Sequence, residues 1–200
     1  MAGTGAKGAA KRTLLLDTAE KLIVAEGYAA VSTRRVGLEA GVKPPLVHYY
    51  FPTTEDLLLA VYDRAAQQAH QRTLEALSSP RPLEALWSLS KQSAHTSLGT
   101  ELYALANHRE VIRQEIAETG VAFRVSQAEA LTQALGDRLD QGIDPKALII
   151  LITGISRILV MEEAIGLTDG HAELSAFIEG LLERVARKPP ADVGEGPPAA

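Results

Sequence analysis

The sequence predicts an all-α chain of about nine helices. Apolar residues recur at i, i+3, i+4 and i+7 over most of the 200 residues, the spacing of one face of a helix. Prolines gather where helices would start, in loops or in the tail, and apolar residues make up 46% of the chain, ample for a core in one large or two small domains. The expected organisation is a disordered arm over residues 1–10, a three-helix domain over 11–62, a second helical domain over 63–188 and a disordered tail over 189–200.

The first helix is expected from about Lys11 to Ala25, with Gly27 as its stop. Leu15, Ala19, Leu22 and Ile23 share its buried face, while Asp17, Glu20 and Lys21 face water. A second helix follows Ser32, a candidate N-cap, places Val36 and Ala40 on one face, and ends near Ala40 before Gly41. Pro44 and Pro45 fit only the first turn of a following helix, where a missing N–H breaks no bond, so Gly41, Val42 and Lys43 form the turn. Two helices joined by a short glycine turn make a helix-turn-helix. Its second helix, Pro44 to about Phe51, sets Val47 and Phe51 inward and His48, Tyr49 and Tyr50 outward as hydrogen-bonding groups, the build of a helix that reads a major groove. Such helix pairs also occur in proteins that never touch DNA.

After Phe51, Thr53 and Asp56 read as a capping box opening a long helix to about Leu77. Ser78 to Pro82 is the clearest loop. A fifth helix, marked by Leu83, Leu86, Trp87 and Leu89, is expected to run to about Ser97, before Gly99. Helical pattern continues without proline from Glu101 to about Asp140, with a break near Asn107 and His108. Asp144 caps the next helix, Lys146 to Leu167, which is apolar almost all round: Leu148, Leu151, Ile155, Ile158 and Leu159 on one side, Ile149, Ile150, Thr153 and Val160 on the other. Such a helix must be buried on both sides. The last helix, His171 to about Arg187, carries the stripe Leu174, Phe177, Ile178, Leu181, Leu182 and Val185.

Residues 11–62 resemble the N-terminal domain of the TetR family of transcriptional regulators, and the rest is similar to it in general architecture. The likeness rests on Leu15-Ala19-Leu22-Ile23-Gly27-Tyr28, then Thr33-Arg34, Gly41-Val42, the cluster His48-Tyr49-Tyr50-Phe51 and the capped helix at Thr53, in matching order and spacing. It implies an N-terminal three-helix helix-turn-helix DNA-binding domain and a C-terminal helical ligand-binding and dimerisation domain. It further implies a homodimer on a palindromic operator in double-stranded DNA, released by a small molecule, and a repressor rather than an activator. Departures are Lys43 where the family usually caps with Ser, Thr54 where it has a phosphate-binding Lys, Arg35 where it has an acid, and Val47-His48 for a frequent Leu-Tyr pair. A lost cap costs about 0.5–2 kcal/mol, partly offset by the two prolines that pre-set the first turn.

The expected DNA face is Thr33, Arg34, Arg35, Lys43, Pro44, His48, Tyr49 and Tyr50, with Thr54 at the start of the fourth helix. Arg34 is the candidate base contact, and Lys43 and the tyrosine hydroxyls the phosphate contacts. The net charge of −5 divides unequally: seven cations against four acids put residues 1–50 at +3, leaving −8 for the remainder. A basic end on an acidic body orients a molecule on a polyanion, although seven cations in fifty residues also suit an ordinary solvated surface. Lys7, Lys11 and Arg12 are candidates to track phosphates from a flexible arm.

No catalytic residues, metal site or cofactor are expected. There is no cysteine, no HisGluXXHis or GluXXHis, no glycine-rich phosphate loop, and the adjacent Glu162 and Glu163 point to different helix faces. The absence of cysteine suits a reducing cytosol, and no apolar run approaches the ~18 residues of a membrane span, so a cytoplasmic protein is expected. A helical adaptor with a vestigial helix-turn-helix is the competing non-enzymatic reading, and it predicts no salt-dependent duplex binding. Trp87, His95, Tyr103, His108, Phe123, Gln127, Arg157 and Glu162 interrupt the apolar stripes of helices four to eight as the polar and aromatic groups of a small-molecule pocket would. Taken alone, each fits the core better than a ligand contact. Arg157, the one cation in its apolar helix beyond Lys146 at the start, would take the anionic end of a mostly apolar ligand, or pair with Glu162 or across a dimer. The stripe from Leu174 to Val185 is expected to form the homodimer interface with the preceding helix as a four-helix bundle.

Overall fold

The computed structural model describes residues 3–139 and 142–186, with side chains for all of these except 3–6 and 93–97. The described residues hold nine helices and no strand: α1 (Gly3–Glu26), α2 (Thr33–Glu39), α3 (Pro44–Tyr50), α4 (Thr54–Leu77), α5 (Pro82–Ser90), α6 (Ser93–Ala106), α7 (Glu110–Leu135), α8 (Pro145–Ala164) and α9 (His171–Ala186). Short 3-10 turns occupy Tyr28–Ala30 and Gly136–Arg138. The expected arm is not one: α1 begins at Gly3, because the alanines among residues 6–10 favour helix and no proline interrupts them. The expected disordered tail, 189–200, lies outside the described residues.

By contact the chain divides into two compact units, Met1–Arg72 with Lys91–Phe123, and Thr73–Ser90 with Arg124–Ala200. The boundary expected at residue 62 therefore moves. Leu102 and Leu105 of α6 and Ile112 and Ile116 of α7 complete the core of the N-terminal helices. In that first unit Leu15, Leu16, Ala19, Leu22 and Ile23 of α1 are buried with Val36, Val47, Phe51, Leu57 and Val61. Each large apolar side chain buried this way contributes about 1.5–3 kcal/mol. Arg64 also bonds Asp17 at 2.7 Å and Glu20 at 3.0 Å, joining α4 to α1, but such partly exposed pairs are worth only about 0–1 kcal/mol. Apolar burial, not the ion pairs, holds α1 in place. Gly27, at φ 82, ends α1 as expected, and the Tyr28 N–H beyond it donates to Glu101 of α6 at 3.1 Å.

The helix ends follow their caps. Ser32 accepts from the Arg35 N–H at 3.1 Å. Thr53 accepts from the Asp56 N–H at 3.0 Å while Asp56 accepts from the Thr53 N–H at 2.9 Å, closing the capping box of α4. Asp144 accepts from the Lys146 N–H at 2.7 Å at the start of α8. At its other end α8 stops at Ala164, short of the expected Leu167. Gly166, at φ 82, donates to Glu163 and Leu167 to Glu162, the pairing that closes a helix through a left-handed glycine. The fifth helix also stops early, at Ser90, where Gln92 is extended and the serines at 88, 90 and 93 favour helix weakly. Gly99 lies inside α6 and stops nothing.

In the second unit Leu77, Leu83, Leu86, Trp87, Leu131, Leu135, Leu148, Ile149, Ile152, Leu159, Ile178, Leu182 and Val185 form the core. Within the single subunit α8 is buried on one side: Leu148, Ile149, Ile152, Ser156, Leu159 and Val160 are buried, whereas Ile150, Leu151, Ile158 and Met161, on the side expected to meet a second partner, are exposed.

One close approach sets the α2–α3 geometry. A Cβ on Gly37 would stand 2.9 Å from Cγ2 of Val47 and 3.5 Å from the Val42 carbonyl oxygen, so a larger residue would push α3 away. Overpacking at about 1–3 kcal/mol outweighs the helix-propensity gain of up to about 1 kcal/mol. Gly37→Ala is thus expected to lower stability by roughly 1–2 kcal/mol, read as a lower urea midpoint at unchanged m-value.

Candidate nucleic-acid interface

The helix-turn-helix is α2, a turn through Gly41 at φ 64, and α3. Val47 of α3 is fully buried and Phe51 nearly so, and this plants the helix on α1, α2 and α4. Its opposite face is open: Lys43, Pro44, Pro45, His48 and Tyr49 are exposed, Tyr49 at 78%, and Arg34 is exposed on α2. His48 holds Nδ1 3.1 Å from the Pro52 carbonyl, so Nδ1 donates there and Nε2 is left for another partner. Tyr49 meets Tyr50 edge to face, with centroids 5.1 Å apart. Lys43 occupies the N-cap position, where its ammonium, a donor only, cannot accept from the helix N–H groups, and the residue is exposed.

Four predicted face residues take other roles. Arg35 bonds Glu39 at 2.9 Å and Glu26 at 3.0 Å, and these carboxylates, Glu39 first, hold its guanidinium above the usual arginine range. It ties α2 to α1 instead of presenting a charge to a partner. Thr33 is buried, and its N–H donates to the Thr54 hydroxyl at 3.4 Å, so both threonines join the start of α2 to the start of α4. Tyr50 is half-buried against the core, its hydroxyl 3.5 Å from where a Cβ on Gly8 would stand.

The eight pocket candidates do not come together in one unit. Tyr103, His108 and Phe123 belong to the first, as does His95, whose side chain lies outside the described residues, while Trp87, Gln127, Arg157 and Glu162 belong to the second. Trp87 is buried and its indole N–H donates to Glu179 at 3.0 Å, and Glu162 pairs with His171 at 2.9 Å rather than presenting its carboxylate to Arg157. Those two are bound structurally. His108 is exposed at the α6–α7 break. Phe123 is stacked on His70 with centroids 4.0 Å apart, and the 44%-exposed Tyr103 is an electrostatic neighbour of buried Tyr62. Residue reading missed Tyr62 and His70, although both lie on the inner stripe of α4. A groove in the second unit, lined by Pro80, Arg81, Leu135, Arg138 and Leu182 among others, contains none of the eight. No group of residues suited to a metal ion occurs among the described residues, and no helix there is long and apolar enough to cross a membrane.

The predicted dimer stripe also divides. Ile178, Leu182 and Val185 are buried in their own unit's core and are not open to a partner, whereas Phe177 is 61% exposed and Leu174 and Leu181 are half-buried. Ile178, Leu182 and Val185, spaced i, i+4 and i+7, pack in the core to which α5 brings Leu83, Leu86 and Trp87.

Residues 15–61 match the sequence profile of the bacterial regulatory proteins of the tetR family. The HTH-type transcriptional regulator EthR of Mycobacterium tuberculosis is 25% identical over 145 residues, a span that takes in 67% of this chain and 64%, just under two thirds, of that regulator. Among solved structures, a candidate TetR-family transcriptional regulator from Rhodococcus sp. has the same fold at a TM-score of 0.70 and 22% identity, covering 88% of this chain and 98% of its own. The multidrug binding protein EbrR, solved with imidazole, superposes at a TM-score of 0.62 and 25% identity, covering 90% of this chain and 92% of its own. The fold, the α2–α3 motif and these relatives agree: residues 15–61 are similar to the helix-turn-helix region of bacterial regulatory proteins of the tetR family, and the chain is similar in fold to solved TetR-family regulators.

Two titrating groups in the first unit give a pH signature. Burial lowers His70 below its ordinary 6.5, so the stability it lends is present above that pH and is lost as pH falls through its folded value. Burial first, then Tyr103, raises Tyr62 from 10.0 to about 12, so its share is present below pH 10 and lost as pH rises to 12. The alkaline loss is expected to reach about 2–3 kcal/mol. Tyr62→Phe should flatten the alkaline limb and His70→Asn the acid limb, as followed by urea midpoints across the pH range.

Proposed function

We propose that this protein is a DNA-binding transcriptional regulator: a repressor that binds a near-palindromic operator as a homodimer and is released by a small, mostly apolar ligand. The reading rests on the exposed row Arg34, Lys43, Pro44, His48 and Tyr49 over the buried Val47 and Phe51. Five groups able to hydrogen-bond or fill a groove share one helix-turn-helix face, where Arg34 and Lys43 project without the two-carboxylate clamp that holds Arg35. A base-reading arginine beside a phosphate-binding lysine is the arrangement such a face needs. Binding as a dimer is supported by the apolar side chains that α8 and α9 leave exposed, Ile150, Ile158, Met161 and Phe177, which a partner subunit would cover. Ligand release is supported by α4, which carries Tyr62 and His70 and, at its first residue, the Thr54 bond to α2. A ligand that shifts α4 would move the start of α2, a coupling typically of about 1–3 kcal/mol.

On a duplex selected from a random library, Arg34→Ala should weaken binding by roughly 1–3 kcal/mol and relax preference at one base pair, whereas Lys43→Ala should weaken all sequences alike. Unchanged affinity and preference for Arg34→Ala would remove Arg34 from the interface. For the dimer, Phe177→Glu with Ile158→Glu should sediment as a folded monomer. A dimer that survives both charges has its interface elsewhere.

A further inference from the structure

The helical extension of α1 is unexplained by its core packing, since its buried face begins only at Leu15. Residues 3–16 contain Lys7, Lys11 and Arg12 and no acid. Gly8 and Arg12, four apart, form the row that meets the end of the recognition helix: Gly8 approaches the Tyr50 hydroxyl, and the Arg12 guanidinium sits 5.3 Å over the Phe51 ring. Lys7 and Lys11 form the neighbouring row, about 100° around the helix and about 6 Å apart along it, and both are exposed. Asp17 pairs with Arg64, and Asp63 is an electrostatic neighbour of Arg12.

We propose that the first turns of α1 form a rigid basic rail, with Lys7 and Lys11 lying along the phosphate backbone that flanks the recognition helix. The proposal rests on the DNA-binding reading above. It differs from a loose cationic arm because the contact between α1 and Tyr50–Phe51 places both ammonium groups in a set register with α3. A contact of this kind adds affinity and orientation without reading sequence.

The test is the salt dependence of binding of the full-length chain to a mixed-sequence duplex, for which no operator is needed. Each phosphate that a lysine no longer neutralises should reduce the slope of log Kobs against log salt by about 0.9. The Lys7→Ala, Lys11→Ala double variant should therefore show a slope shallower by about 1.8 per subunit and weaken binding to all sequences by the same factor. Ala9→Pro keeps both charges but breaks the helix between Lys7 and Lys11, releasing Lys7 alone from its register, and it should reproduce about half of that effect while retaining the wild-type urea midpoint. If the double variant keeps the wild-type slope, the rail is wrong and the DNA-binding reading stands. A lower slope for the alanines with no change for Ala9→Pro would replace the rail by a loose arm. Wild-type protein that binds no duplex at low salt would overturn the DNA-binding reading and the rail together.

Discussion

The placement of α3 depends on α2 coming within a methyl group's reach of it. Gly37 leaves no room for a Cβ beside Val47, and Gly41 turns the chain in a left-handed conformation that other residues resist. With Val47 and Phe51 anchored on one side, the remaining α3 side chains have nowhere to go but outward. The caps at Ser32 and Thr53 then set where α2 and α4 begin, and the Thr33–Thr54 bond links those two starts. The direction in which His48 and Tyr49 project thus follows from contacts made by residues that never face a partner.

Charge in the first unit is organised by pairing. Arg35 and Arg64 each meet two carboxylates and serve to join helices, while Lys7, Lys11, Arg34 and Lys43 are exposed. Counting cations in the sequence treats these two groups alike. Only the second contributes an unbalanced positive field, the part that would attract a polyanion over distance.

The second unit shows the same division among apolar residues. The α8 and α9 stripes are broader than one core can cover, and the unit takes Ile149, Ile152, Ile178 and Leu182 while leaving Ile150, Ile158 and Phe177 in the open. The proposed dimer would use what the subunit's own packing left over, a narrower set than the periodicity suggests.

Local chemistry was legible along the chain. Ser32, Thr53 and Asp144 mark helix starts because an N-cap needs only a side-chain oxygen two or three residues from the N–H it accepts from, and Gly27 and Gly41 mark stops because left-handed backbone is a property of one residue. The α2-turn-α3 motif and its exposed His48 and Tyr49 follow from the same short-range rules. What tertiary structure alone decided are the pairings between distant residues: Arg35 with Glu26, Trp87 with Glu179, His70 on Phe123 and Glu162 with His171. Periodicity tells that a residue faces inward or outward from its helix. It carries no information about which other helix arrives there, and that arrival decided whether each arginine, aromatic or leucine was spent inside the fold or left for a partner.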